Sequence, residues 1–412
     1  AQPESGDAIL PGLVLPGLAN AHSHAFHRAL RARTQAPGAG SFWTWRDQMY
    51  AVAGRLDPDS YYDLARAVYA EMVLTGICAV AEFHYLHHQP GGRPYADPNA
   101  MGLALRAAAQ DAGIRLTLVD TCYLTGGLAP TGPLALSEAQ ARFSDGTVAH
   151  WVARHEAWDT DDDTVVAAAV HSVRAVTPAD IPAVVQAAGD GQLHVHLSEQ
   201  RAENEACQAV YGCSPTEVLA AAGALGPRTV AVHATHLSPS DLALLGDSGT
   251  GVCLCPTTER DLADGLGPGR ALADAGSPLS LGSDSHAVVD LFEEARGVEL
   301  HERLASGRRG SFGAAELVRM LTVDGYAALG RPAGGRIQVG GLADLVAIST
   351  SSVRTAGAAP DELVFAATGA DVTDVVVGGR RQVTAGHHRN GDVGAALNTA
   401  IGRVLPEVGV DE

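Results

Sequence analysis

Four short stretches of this 412-residue chain combine metal-binding residue types with spacings that could aim them at one point. His22-Ser23-His24 ends an apolar run. Alternate residues of a strand face the same side, so both imidazoles can address a single ion. An HxH by itself is also read as two hydrogen-bonded polar residues. His194-Val195-His196-Leu197-Ser198-Glu199 ends a second run. There His196 offers a third nitrogen, and Glu199, just past the strand, offers a carboxylate able to reach a metal-bound water. The plain alternative is a solvated glutamate in a polar loop with Gln200, Arg201 and Glu203. His233 closes the run Thr229–Val232, with His236 shortly after it. Asp284 closes Leu281-Gly282-Ser283, a place where a lone aspartate usually serves as a turn or cap.

These stretches gain force if one scaffold brings them together. Candidate strands are Leu13–Ala21, Ile77–Tyr85, Arg115–Cys122, Val165–Val173, Leu193–Leu197, Thr229–Ala234, Gly251–Cys255 and Pro278–Gly282. They are short, apolar on both faces and rich in Val, Leu and Ile, the pattern of a buried parallel sheet. Helix starts fall between them. Asp57-Pro58, Asp97-Pro98, Thr177-Pro178, Ser214-Pro215 and Ser238-Pro239 each place a capping oxygen before a proline, and Ser214 with Glu217 fits a capping box. Eight such strands over about 270 residues predict an α/β fold, a (β/α)₈ TIM-type barrel. A doubly wound open sheet is the alternative, but no GxGxxG follows a strand. A helical tract at Asp290–Ala305 leads out of the barrel. After about Gly330 the pattern changes to short strands with glycine turns, Gly335–Ser349 and Val372–His387, read as a small additional β domain of sandwich type. The expected division is 1–15 and 333–412 for the small domain and 16–332 for the barrel.

In a barrel the C-terminal ends of different strands converge on one face. His22, His24, His196, His233 and Asp284 would then meet around one cavity. Imidazoles with one carboxylate suit a borderline divalent ion such as Zn²⁺, with a position left for water. Such an ion lowers the pKa of bound water toward about 7. Glu199 could take the water proton and return it to a leaving nitrogen. His233 could hydrogen-bond the substrate or the developing tetrahedral centre. Asp284 could bind the metal and orient the nucleophile.

Composition narrows the chemistry. Hydrophobic residues make up 46% and charged residues 18%, as in an ordinary globular protein, and no apolar run is long enough to span a bilayer. Net charge is −19, which argues against a nucleic-acid partner and means that an anionic small substrate needs a local cationic pocket. All 28 basic residues are arginine. With no lysine there is no Schiff base, no phosphate-loop lysine and no carbamylated lysine bridging two metals. Cys78, Cys122, Cys207, Cys213, Cys253 and Cys255 are scattered, and read as reduced thiols of a cytoplasmic protein. A zinc–thiolate site at Cys253 and Cys255 would need a second pair, which the sequence lacks. The chain opens on Ala1 rather than Met with no visible signal peptide, and the β segment before Pro16 reads as short, so the small domain is expected to be incomplete at this end.

HxH, HxxE, His and Asp in this order, without a bridging lysine, resemble the deaminase branch of the amidohydrolase superfamily. Leu15-Pro16-Gly17, Asn20-Ala21-His22-Ser23-His24-Ala25-Phe26, Ser41-Phe42-Trp43-Thr44-Trp45-Arg46, Ala81-Glu82-Phe83-His84-Tyr85-Leu86-His87-His88, His171-Ser172-Val173-Arg174-Ala175-Val176 and Cys255-Pro256-Thr257-Thr258-Glu259 further resemble the formimidoylglutamate deiminase family. Trp-Thr-Trp-Arg and Phe-His-Tyr-x-His-His are not generic to the superfamily. The resemblance implies hydrolysis of N-formimidoyl-L-glutamate to N-formyl-L-glutamate and ammonia in histidine degradation, one zinc on His22, His24, His196 and Asp284, and Glu199 as proton shuttle. It also implies substrate contacts from Arg46, Tyr85, His171 and Arg174, with His233 near the formimino group, and a homodimer. A dicarboxylate needs cations, and arginine binds carboxylates through paired hydrogen bonds. Surface salt bridges are the bland reading of Arg46 and Arg174. Some members carry glutamine where this chain has His27, which could hydrogen-bond a carboxylate or retune the pocket. The competing functions are deamination of a nucleobase or other cyclic amidine, and a non-catalytic barrel that serves as a binding module.

Overall fold

The computed structural model describes residues 9–35, 42–159, 161 and 163–405. The expected small-domain residues 1–8 and 406–412, and Ser41 of the Trp-Thr-Trp-Arg motif, lie outside the described residues. Eight parallel strands form the barrel: β1 (Leu18–Ser23), β2 (Ile77–His84), β3 (Arg115–Cys122), β4 (Thr164–Val170), β5 (Leu193–Leu197), β6 (Thr229–His233), β7 (Gly251–Leu254) and β8 (Leu279–Leu281). Each pairs with its successor in chain order. Sequential order is what a barrel requires and a doubly wound sheet does not have. The circle closes through a parallel bridge between Ser23 and Asp284, flanked by Asp284 N–H to His22 O (3.0 Å) and His24 N–H to Asp284 O (3.2 Å).

The first predicted strand, Leu13–Ala21, is in fact two. Pro16-Gly17 breaks it, and Leu13–Pro16 leaves the barrel to pair antiparallel with Leu345–Ile348. Gly17 is needed there, because a Cβ would lie 2.4 Å from Cys78 Sγ. Leu13–Pro16 and Leu345–Ile348 belong to a five-stranded antiparallel sheet that continues through Val372–Val377, Arg380–Thr384 and His387–His388, and this one sheet is what the described residues of the expected small domain build. The expected strand Gly335–Ser349 shrinks to Leu345–Ile348. The expected strand Val372–His387 folds back on itself at Gly378-Gly379, both with positive φ.

Asp57, Ser214 and Ser238 each cap a helix that begins at the following proline. Asp97-Pro98 and Thr177-Pro178 behave differently. Asp97 accepts from Asn99 N–H, Thr177 bonds Asp180, and the helices begin only at Ala100 and Ile181. Both pairs have the polar side chain and the proline of a helix start, but each closes a local turn first. The long helix Leu291–Ser306 starts on Asp290, whose carboxylate accepts from Phe292 and Glu293 N–H. No described helix is long and apolar enough to cross a membrane.

Candidate metal and substrate site

At the C-terminal mouth of the barrel the strands end abruptly. Ser198, His233, Ala234, Asp284 and His286 all have φ between 40° and 71°, a region that side chains other than glycine rarely enter. Holding such residues costs on the order of 1–3 kcal/mol each, which surrounding packing must offset. The result is that side chains at the strand tips turn into one cavity.

His22, His24, His196 and Asp284 meet there, all buried. His22 Nε2 lies 3.1 Å from His196 Nε2 and 3.2 Å from Asp284 Oδ1, and His24 Nε2 is 3.5 Å from the same oxygen. His24 Nδ1 lies 3.0 Å from the Phe83 carbonyl and His196 Nδ1 3.0 Å from the His171 carbonyl. A carbonyl only accepts, so both rings donate from Nδ1 and turn the Nε2 lone pair inward. Tetrahedral coordination at 2.0–2.1 Å has donor-to-donor edges of about 3.3 Å. The separations found bracket that value, and the donor set is the neutral imidazole and carboxylate mixture that zinc accepts. The residues present therefore fit a zinc ion. Burial lowers the His24 imidazole to about 3 and lowers His22 and His196 as well, so all three are neutral donors at neutral pH. Burial opposes ionisation of Asp284, but the His22 hydrogen bond and the charge of His233 outweigh it and hold the carboxyl well below the usual range.

His233 belongs to the same cluster, with Nε2 3.9 Å from both Glu199 Oε1 and Asp284 Oδ2 and Nδ1 3.7 Å from Glu259 Oε1. Burial lowers its pKa, and Glu199, Glu259 and Asp284 together reverse that, raising it to about 10. Glu199 also accepts from Arg174 Nη2 at 3.3 Å, while Arg174 Nε lies 3.5 Å from Glu203. Arg174 is thus no surface ion pair: it is half-buried, lines the same cleft and orients Glu199. Arg46, on the helix Phe42–Ala53, lies over the Trp43 ring at 4.5 Å. Its Nε is buried with no hydrogen-bond partner among the described residues. His27 Nε2 meets the Tyr85 hydroxyl at 3.1 Å, and His171 packs edge-on to Tyr85. One cleft is lined by His24, His27, Arg46, Tyr85, His171, Arg174, His196, Glu199, His233 and Asp284, with His22 against His196 and Asp284, whereas His236 lies apart with Nε2 2.8 Å from the Asp264 carbonyl.

Other parts of the site had no separate signal in the sequence. Buried Glu82 accepts from Ser23 Oγ (2.8 Å) and Ala25 N–H (2.7 Å), tying β2 to the turn after His24; burial raises its carboxyl to about 8. Glu259 accepts from Cys255 N–H at 2.9 Å and faces His233. Both stand inside motifs quoted above, yet residue spacing does not reveal which strand a buried carboxylate reaches. Cys253 and Cys255 are buried free thiols, and the clusters able to hold a metal found among the described residues are built of His and Asp.

A parallel barrel with an imidazole–carboxylate cluster at the C-terminal mouth defines a barrel hydrolase of the metal-dependent class. Residues 13–381 match the model of the amidohydrolase family, and the chain belongs to that family. It is 38% identical to formimidoylglutamate deiminase of Pseudomonas aeruginosa, over 93% of this chain and 87% of that one. Among solved structures it is similar to an amidohydrolase from Brucella melitensis, with a TM-score of 0.88 and 33% identity, covering 95% and 90% of the two chains. It is also similar to an adenosine deaminase from Xanthomonas campestris with bound zinc, with a TM-score of 0.79 and 26% identity over 95% and 84%.

Proposed function

We propose that this protein hydrolyses the formimino C=N bond of N-formimidoyl-L-glutamate, releasing N-formyl-L-glutamate and ammonia. The observation that carries this reading is the pairing of two guanidinium groups, Arg46 and Arg174, with the imidazole–carboxylate cluster in one cleft. A dicarboxylate calls for cations there; a purine or pyrimidine would call for a flat slot with amide donors and acceptors. The identity to the Pseudomonas enzyme, higher than to the adenosine deaminase, points the same way.

His22, His24, His196 and Asp284 would hold the zinc ion, which when bound would supply Lewis-acid activation of water. The chain does the rest. Glu199 takes a proton from the water and returns it to the nitrogen that leaves, a role its position between His233 and Arg174 supports. His233 donates to the group that gains negative charge, and Asp284 orients the water. Arg46 and Arg174 hold the carboxylates, with His27, Tyr85 and His171 completing the walls. Water adds across C=N, the C–N bond breaks, ammonia departs and the carbon keeps oxygen as formyl.

The same reading carries with it a place in histidine degradation, a cytoplasmic location, a homodimer, and a division into a barrel of 16–332 and a small domain of 1–15 and 333–412. The test is ammonia release from the zinc-loaded enzyme across N-formimidoyl-glutamate, N-formimidoyl-aspartate and a set of nucleobases. The glutamate derivative should be the best substrate. A preference for a base would replace this proposal with a nucleobase deaminase, and no turnover of any of them would favour a binding module.

A further inference from the structure

One wall of the cleft carries a hydrogen-bond arrangement that none of these roles uses. Tyr50 and Tyr123 both line the cleft. Their hydroxyls share one partner, the side-chain amide of buried Gln140. Gln140 Nε2 lies 2.8 Å from the Tyr123 hydroxyl, 3.1 Å from that of Tyr50 and 2.9 Å from the Gly126 carbonyl. The orientation of the amide is determined by its neighbours. Gln140 Oε1 accepts from Ser137 N–H at 3.0 Å, and the Gly126 carbonyl can only accept. Nε2 therefore has two N–H groups for three oxygens and can accept nothing. Both phenolic oxygens are acceptors toward Gln140, and it takes up neither phenolic proton. At most one of those protons can pass from one hydroxyl to the other. At least one O–H is thus left to donate into the cleft.

The surroundings say what it would donate to. The Tyr123 ring is 4.6 Å from that of His171, which is 5.0 Å from that of His196, so Tyr123 stands two rings out from the metal-binding cluster. The Arg46 guanidinium lies 5.5 Å from the centre of the Tyr50 ring, and Arg174 is within electrostatic reach of both phenols. Phenolic donors beside two cations form an anion subsite. The arginines supply charge; the hydroxyls supply direction, through short charge-assisted bonds to carboxylate oxygen.

We propose that Tyr50 and Tyr123, oriented by Gln140, bind the far carboxylate of the substrate and select an acidic chain over a neutral one. The assignment rests on reading the substrate as an amino-acid dicarboxylate, and its test does not depend on turnover. Glutarate and pentanoate, which differ by one carboxylate, are titrated calorimetrically into the metal-replete wild type, Tyr50→Phe, Tyr123→Phe, the double variant and Gln140→Glu. Glutarate binding should weaken about tenfold or more in the double variant, the scale of hydrogen bonds to a charged group. Pentanoate should stay within about twofold. Gln140→Glu, which turns the donor into an acceptor for both phenols, should weaken glutarate at least as much and guards against a double variant that folds poorly. Wild type that does not prefer glutarate, or variants that keep its affinity, would overturn the proposal. If N-formimidoyl-glutamate is turned over while the variants bind glutarate normally, the subsite fails and the function stands; if it is not turned over but glutarate binding depends on the tyrosines, the reverse holds.

Discussion

Ser23 and Asp284 form the bridge that closes the barrel, and the residues on either side of that seam are metal-binding candidates. Ser23 stands between His22 and His24, so the register that joins β1 to β8 also sets the separation of two imidazoles from the Asp284 carboxylate. Asn20 and Ser283 fasten the same seam with a reciprocal pair of hydrogen bonds, 2.7 and 2.9 Å. Scaffold closure and site geometry are here one structural feature.

The seam is close because Gly282 lacks a side chain. A Cβ at that position would sit 2.7 Å from His22 Cβ and 2.9 Å from His22 O, both too near to tolerate. Gly282→Ala should therefore push β8 away from β1, costing about 1–3 kcal/mol of stability and loosening the metal site in the same step. Thermal unfolding and zinc content measured on one preparation check this. A variant that unfolded earlier but kept full zinc affinity would separate the two functions of the seam.

A zinc ion bound to the native state alone stabilises it by mass action, about 2.7 kcal/mol when free metal is a hundredfold above Kd. Stripping the protein with a chelator should abolish activity and lower the unfolding temperature, and both should return on adding zinc. Asp284→Asn should mimic the stripped protein, because the variant keeps the shape and loses the anionic ligand. Recovery of activity without metal would show that the cluster is not a metal site.

Glu199→Gln separates metal binding from proton transfer. Glu199 is not among the four residues proposed to hold the ion, and glutamine preserves its size and its contact with Arg174. Zinc content should remain at the wild-type level while kcat falls by about 10²–10⁴, the range for a lost general acid–base group. Wild-type turnover would remove the proton-shuttle role from Glu199.

Much of this was legible in the chain because a barrel exports its chemistry to strand ends. Short apolar runs terminating in His24, His196, His233 and Asp284 describe both the strands and the residues at their tips. Boundaries were less legible where two structural demands met. Leu13–Ala21 reads as one strand, yet its two halves serve different sheets; Pro16, where the expected domain boundary falls, and the steric need for Gly17 against Cys78 mark the break. Partners across the barrel were not legible at all. Nothing local to Glu82 says that it reaches Ser23, and nothing local to Gln140 says that it holds Tyr50 and Tyr123. Such contacts depend on the final register of several strands, which is a property of the closed barrel.

The Phe-His-Tyr-x-His-His motif divides its work in a way that leads to a last prediction. Tyr85 points into the cleft, whereas His87 and His88 turn to a buried ionic cluster. At its centre Arg154 pairs with Asp120 at 2.7 Å and with Asp145 at 3.0 Å; His155 adds a bond to Asp120 and His88 one to Asp145. Burial opposes ionisation of both aspartates. For Asp120 the Arg154 charge and the His155 bond outweigh it; for Asp145 the His88 bond, His87 and Arg154 do. Both carboxyls are thus held well below their ordinary pKa of about 3.9. A carboxyl depressed in the native state contributes stability that is present above its unfolded pKa and lost as pH falls through the native one. Asp145→Asn leaves Arg154 short of a buried partner and should cost about 3–5 kcal/mol near neutrality. The gap from wild type should hold steady between about pH 7 and 5 and narrow only below about pH 4, where the carboxylates of the unfolded chain take up protons while the native ones still resist them. Urea unfolding across that range tests the assignment. A gap that narrowed already near neutrality would shift the effect to the histidines of the cluster, and a gap that never narrowed would mean that the charge on Asp145 is not what stabilises the loop carrying Tyr85.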